Sequence, residues 1–174
     1  MLHFYLKFYH YTLKINRLEL LDIIFYTKKM EVKELTKKAT ECYYGNNLKQ
    51  ALSLFLQALS LDINNSYSYY NIGLTYDSMK EYELAIANYK KAIALNPYDV
   101  RSVNNIAWIY FESLNDEDIA TKYLNYAIQI MPNDAEAYNI FGNIYFKKED
   151  FKTGVVLERR PQCAVSHEVR RRGQ

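Results

Sequence analysis

Proton transfer, metal binding and nucleophilic attack each need particular side chains at particular spacings, and this sequence supplies few of them. His3, His10 and His167 stand far apart and outside the regular part of the chain. It has no zinc-type spacing, nucleophile elbow or phosphate-cradling glycine loop. Cys42 falls on the apolar face of a helical stretch, where a small core cysteine is expected. With Cys163 it makes no disulfide framework, which fits a reducing compartment. Amides and aromatics are the better-represented chemistry: Asn71, Asn104, Asn105, Asn139 and Asn143, with Tyr70, Leu74, Arg101 and the single tryptophan, Trp108. An asparagine side chain both donates and accepts hydrogen bonds, which suits an extended backbone of any sequence. Large aromatics offer contact area at low entropic cost. That chemistry is recognition, so neither an enzyme nor a cofactor or metal is expected.

These residues must be held by something, and the spacing of the apolar residues says what. Tyr69, Ile72, Gly73 and Tyr76 follow i, i+3, i+4, i+7 and share one helix face. Ala85, Tyr89 and Ala92 mark a second helix, which Pro97 closes because proline offers no backbone N–H. The pattern returns as Val103, Ile106, Ala107, Tyr110, then Ala120, Leu124, Ala127 and Pro132, and again as Tyr138, Phe141, Gly142, Tyr145. It is visible earlier in Leu35, Ala39, Cys42 and in Ala51, Phe55, Ala58, with Lys38 and Ile63 breaking it. Small residues such as Gly73 and Ala85 stand where two helix backbones approach closely. The candidate binding residues lie off these faces, on the second face of each first helix.

The step is 34 residues from Ala39 to Gly73 and from Gly73 to Ala107, but 35 from Ala107 to Gly142. The extra residue is expected in the turn at Asn115–Asp118, where an insertion disturbs least. Ser66 and Asp99 are expected N-caps, their oxygens accepting first-turn N–H groups. The spacing predicts helices over 32–45 and 48–61, 66–79 and 82–95, 100–113 and 117–130, then 135–147.

The period and these residues resemble the tetratricopeptide repeat family, most closely over Ser66–Asp99, where Tyr69 takes the family's tryptophan place and Tyr89 its phenylalanine place. The resemblance spans roughly Val32–Phe151 and implies an all-α, right-handed α-α superhelix of about three and a half hairpins. The divisions follow: a leader or capping helix at 1–31, a degenerate repeat at 32–65, repeats at 66–99 and 100–134, the first helix of a fourth at 135–152, and a divergent basic tail at 153–174. The family also implies a function. The second face of its first helices lines a concave groove that holds a peptide or partner helix, which makes Tyr70, Asn71, Leu74, Arg101, Asn104, Asn105, Trp108, Asn139 and Asn143 the expected peptide-binding residues. Some members clamp the acidic tails of heat-shock chaperones with a Lys and two Asn followed by a Lys and an Arg. Asn71 and Arg101 could supply two of these, but Thr36, Thr40 and Asn105 stand in the other places, so that specificity is not expected. The runner-up reading is a targeting fragment of a larger enzyme or of a secretion or assembly component.

Charge bears on partners. Met30–Lys152 carries 12 basic and 16 acidic residues, a balance of −4, so a basic face for nucleic acid is not expected. Charged residues interrupt the apolar Met1–Lys29 stretch before it reaches the length of a signal core or a membrane span. A cytoplasmic protein with a protein or peptide partner is the expectation. Met30 opens the first repeat, so Met1–Lys29 fits either a native N-terminal helix or an upstream misreading. After Lys152 lysine gives way to arginine and the repeat pattern fails. That shift points to a foreign join or frame change more than to a natural basic tail, and Pro161–Gln174 is expected to be disordered. The incomplete fourth repeat is expected to be sticky and to promote self-association.

Overall fold

The computed structural model describes residues 17–147. The expectations for the extreme N-terminus and for the tail from 148 onward lie outside the described residues. Every regular element among the described residues is helical, and the chain divides into two compact units, 1–65 and 66–174.

The first unit is a helical hairpin. Helix α1 runs Arg17–Tyr44 and α2 runs Leu48–Leu61. The expected start at 32 is corrected to Arg17: no proline or glycine interrupts Arg17–Glu31, and its Leu, Glu and Lys residues favour helix. Burial begins only at Val32, however. Before it, Leu21, Phe25 and Tyr26 remain largely exposed. The hairpin closes on Ala39, Ala51, Phe55 and Ala58, all fully buried. Cys42, expected in the core, is only half-buried and is a free thiol. The turn leaves α1 through Asn46 at φ 60°, a left-handed conformation that asparagine tolerates. Asn47 then caps α2, its side-chain oxygen accepting from Gln50 N–H at 3.4 Å.

Among the described residues, the second unit holds two hairpins and one further helix. Helices α3 (Ser66–Ser78) and α4 (Tyr82–Leu95) form the first hairpin. Helix α5 (Val100–Trp108) continues into a π-helical turn at Ile109–Ser113 and pairs with α6 (Glu117–Ile130), and α7 (Ala135–Lys147) follows. Fully buried Ala85, Tyr89 and Ile106 centre one core cluster, and Val103, Ala107, Leu124 and Ile140 another. Gly73 is needed where it stands. A Cβ placed on it would meet Cε1 of Tyr89 at 2.6 Å. Ser66 is the first residue of α3 rather than its cap. Asp99 does stand at the N-cap of α5, but makes no side-chain cap bond to the backbone. Its carboxylate accepts instead from the Ser102 hydroxyl at 2.7 Å and from Arg101 Nε at 3.1 Å.

The extra residue sits earlier than Asn115–Asp118. All three hairpin turns share one design: a left-handed residue (Asn46, Lys80, Asn115) precedes a cap residue whose N–H returns to a first-helix carbonyl. The pairs are Asn47 to Cys42, Glu81 to Tyr76 and Asp116 to Tyr110, at 2.8–2.9 Å. The carbonyls keep the 34-residue step, whereas the last cap has moved by 35, so the added residue lies between Tyr110 and Asp116. There Leu114 N–H bonds Ile109 carbonyl at 3.0 Å, the i→i+5 pattern of a π turn. The helix takes up the residue because the turn geometry, with its left-handed residue and cap, is the more constrained part.

Candidate functional site

The candidate residues belong to the first helices α3, α5 and α7, whose other face is spent on packing. One group meets across α3 and α5. The Arg101 guanidinium lies 4.5 Å from the centre of the Tyr70 ring, a cation–π arrangement. Its Nε donates to Asp99, which is nearly buried, while more than half of the Arg101 side chain stays exposed. Asn105 hydrogen-bonds the Tyr70 side chain. Burial raises the Tyr70 phenol above its ordinary pKa, against the opposing pull of Arg101 and of the Asn105 hydrogen bond. Tyr70, Arg101 and Asn105 therefore form one constellation, oriented before any partner arrives.

Other candidates are engaged within the fold. Asn71 is buried, and its amide donates to the Tyr67 carbonyl of its own helix at 2.8 Å. Asn104 is buried too. It donates to Asp134 at 2.6 Å, with Glu136 at 3.5 Å, and so joins α5 to the start of α7. Leu74 is half-buried against the cluster around Tyr89. Trp108 is half-buried with its ring 5.9 Å from Phe111. Phe111, which helical phase places on the same face, is buried, since the π turn alters the phase there. Asn139 and Asn143 are half-buried, and their side chains make no hydrogen bond among the described residues.

The polar partners Asp99, Ser102 and Asp134 were missing from the sequence reading of this face. A signal existed: Asp99 and Asp134, 35 residues apart, each precede a first helix. Capping was the obvious use for such an aspartate, and it hid the side-chain contacts. In the first unit, Thr36 and Thr40 donate their hydroxyls to backbone carbonyls of α1 at 3.0 and 2.8 Å. They are thus already engaged at the two places where a chaperone-tail clamp would need a Lys and an Asn.

Hairpins repeating at this step, with a recognition-type face on their first helices, define a class: the α-helical repeat scaffolds. Residues 66–99 match the tetratricopeptide repeat, and the fold is that of tetratricopeptide-repeat domains. It is 32% identical over 94 residues to the photosystem I assembly protein Ycf3 of Cyanophora paradoxa, covering 48% of this chain and 54% of that one. It is 30% identical over 63 residues to the probable UDP-N-acetylglucosamine–peptide N-acetylglucosaminyltransferase SPINDLY of Oryza sativa subsp. japonica, covering 36% of this chain and 7% of that one. The chain thus spans about half the length of the first relative and a small part of the second. Among solved structures, MamA superposes with a TM-score of 0.65 at 22% identity, over 78% of this chain and 79% of that chain. The first repeat domain of Spaghetti, bound to an HSP90 peptide, superposes at 0.61 and 19% identity, over 69% and 94%. These structural likenesses establish the fold. No helix among the described residues is long and apolar enough to cross a membrane.

Proposed function

We propose that this chain is a non-catalytic protein-interaction module, and that the groove side of its first helices binds a peptide or a partner helix. The observation that carries this reading is the Tyr70–Arg101–Asn105 constellation. A guanidinium stacked on a ring and tied to a buried carboxylate has lost most of its rotamer freedom before binding. Its exposed N–H groups are positioned to meet a partner's carbonyl or carboxylate oxygen. Trp108, half-buried one turn further along α5, adds an aromatic contact. Leu74, Asn139 and Asn143 border the same face, whereas Asn71 and Asn104 support it from beneath. The Spaghetti complex, in which a domain of this fold holds a peptide, is an analogy for the mode of binding.

A second reading is that the chain is the repeat portion of a larger enzyme or assembly component, favoured by its similarity to parts of SPINDLY and Ycf3. Long-read transcript sequencing tests it, since the reading requires a catalytic or assembly domain in the same open frame. The repeat divisions at 32–65, 66–99, 100–134 and 135–152 and a reducing, cytoplasmic setting belong to both readings.

Affinity capture with the full chain as bait tests the first reading, comparing wild type with Arg101→Ala and Trp108→Ala. A groove-bound partner should be lost, by roughly 2 kcal/mol or more for a hot-spot residue, with helicity nearly unchanged. Retention of every captured partner by both variants would remove the groove from the account.

A further inference from the structure

Helices α5 and α7 begin in the same way and then differ by one charge. Asp99 and Asp134 each stand just before a first helix, and both are nearly buried. Two residues further on, at one and the same place in the repeat, the first is followed by Arg101 and the second by Glu136. Asp99 therefore has a cation of its own. Arg101 Nε donates to it at 3.1 Å, and the Ser102 hydroxyl donates at 2.7 Å. Asp134 has a second carboxylate where that cation would stand, and neither Asp134 nor Glu136 takes part in an ion pair among the described residues. The repeat before has Asn65 and Tyr67 at these two places, which carry no charge and need no cation.

The third member of the cluster points the same way. Asn104 is 1% exposed, and its amide nitrogen serves both carboxylates, Asp134 at 2.6 Å and Glu136 at 3.5 Å. A single amide offers two N–H groups against carboxylates that each accept several bonds. The amide's own oxygen, Oδ1, is buried and has no donor among the described residues. The cluster is thus rich in acceptors and short of donors and of positive charge. Arg101 does not make up the deficit, because Asp99 already holds it. Across Asp99, Arg101, Asp134 and Glu136, three carboxylates face one guanidinium, a balance of −2. The Tyr70 phenol lies in the fields of Arg101, Asp99 and Glu136 alike, so these groups share one stretch of the groove side.

We propose that the Asp134–Glu136–Asn104 cluster binds an arginine side chain of the partner, which supplies from outside the cation that Arg101 supplies from within one repeat earlier. The proposal rests on the groove reading above and narrows it: at this point the partner is cationic. A guanidinium fits because it carries several N–H donors in a planar fork that matches carboxylates, has no acceptor, and is more weakly hydrated than an ammonium, so it loses less on entering a partly buried site. A calcium ion takes about six to eight oxygens, more than two carboxylates and one amide provide. An acidic segment would add negative charge to a cluster that already has an excess of it. Arg159, Arg160, Arg170, Arg171 and Arg172 of the chain itself carry the same chemical group, and the experiment separates them from a partner's arginine.

The probe is the peptide acetyl-Ser-Gly-Arg-Gly-Ser-amide, with lysine and glutamate versions for comparison. Each is titrated into the isotopically labelled full chain and followed by two-dimensional NMR. Saturable shifts are expected at the Asn104 side-chain amide and the Glu136 N–H, stronger for arginine than for lysine and absent for glutamate. Glu136→Gln should weaken binding roughly 10-fold. Glu136→Arg should abolish it and raise the thermal midpoint of the free chain by about 2–4 °C, because it gives Asp134 the partner that Asp99 has. In affinity capture, proteins released by Trp108→Ala should be released by Glu136→Arg as well. Proteins that Trp108→Ala releases and Glu136→Arg retains would overturn this proposal while leaving the groove reading intact. Equal shifts with the glutamate peptide, or shifts indifferent to Glu136→Arg, would overturn it directly. So would the absence of saturable shifts in the wild type, and their appearance once the five named arginines are replaced by glutamine would identify the chain itself as the occupant.

Discussion

Gly73→Ala and Gly142→Ala make the same chemical change at equivalent positions of the repeat, yet they should move stability in opposite directions. Both glycines are inside helices and neither has a positive φ, so alanine can adopt either backbone. Helix propensity alone then favours alanine by about 0.5–1 kcal/mol at each. At Gly142 no atom of the described residues lies within 4 Å of the new methyl group, so none of them opposes that gain. At Gly73 the methyl carbon would sit 2.6 and 2.7 Å from Cε1 and Cδ1 of Tyr89. Carbon atoms rest at about 3.5–4.0 Å, so the overlap approaches an ångström. Tyr89 has no exposed surface, so its ring has no way out to solvent. Overpacking of this kind costs about 1–3 kcal/mol.

The net expectation is a loss of about 1 kcal/mol for Gly73→Ala and a gain of about 0.5–1 kcal/mol for Gly142→Ala. Urea denaturation followed by far-UV circular dichroism reads the difference, provided the slope with denaturant is unchanged. The double substitution Gly73→Ala with Tyr89→Leu recreates the Ala107 and Leu124 combination of the next hairpin. It should recover part of the steric loss while giving up buried ring surface. A Gly73→Ala protein that is stabilised as much as Gly142→Ala would refute the close packing of α3 on Tyr89, and with it the assigned register.

Asn104→Leu should cost about 1–3 kcal/mol in the same assay, because it strips the buried Asp134 carboxylate of its amide donor; Asn139→Leu, at the equivalent position with no such bond, should stay within about 0.5 kcal/mol of wild type. Deleting Glu112 should be tolerated within about 1 kcal/mol, since it turns Tyr110-Phe-Glu-Ser-Leu-Asn-Asp116 into the length of Tyr76-Asp-Ser-Met-Lys-Glu81; deleting Asn115, the left-handed turn residue, should cost far more. The raised Tyr70 pKa gives a stability term that is fully present below the ordinary phenol value of about 10 and is lost as pH rises through the higher folded-state value, so Tyr70→Phe should flatten the alkaline limb of a stability–pH curve.

The packing faces were legible because burial recurs with the sequence: Ala85, Tyr89, Ala92, Val103, Ala107, Leu124 and Ala127 were assigned from spacing alone and all are buried. Helix positions followed from the same periodicity. The early start of α1 was not legible, because periodicity reports burial and the exposed stretch before Val32 has none to report. The degree of burial of Asn71, Asn104 and Asn105 was also hidden. Helical phase assigns them to the second face of their helix, but it does not say how much of that face the next helix covers. Asp99 shows the limit at single-residue scale. Its position at the helix start was correct, while its choice of the Ser102 hydroxyl and Arg101 over backbone N–H depends on side-chain geometry that spacing does not encode.

That second face therefore has two layers with different work. Asn104 and Asp134 sit in the lower one, joining one first helix to the start of the next through a buried hydrogen bond. Tyr70 takes the equivalent position one repeat earlier but is too large to stay below, so its ring supports the exposed Arg101 guanidinium. The exchange of a tyrosine for an asparagine at one register position converts a structural joint into a presenting platform. It does so where the neighbouring hairpin supplies an arginine beside a buried aspartate. At Asn139 the same position has neither partner among the described residues. One register position thus gives a platform, a joint and an open end in three successive first helices. The scaffold repeats, and specificity arises from what each repeat sets opposite that position.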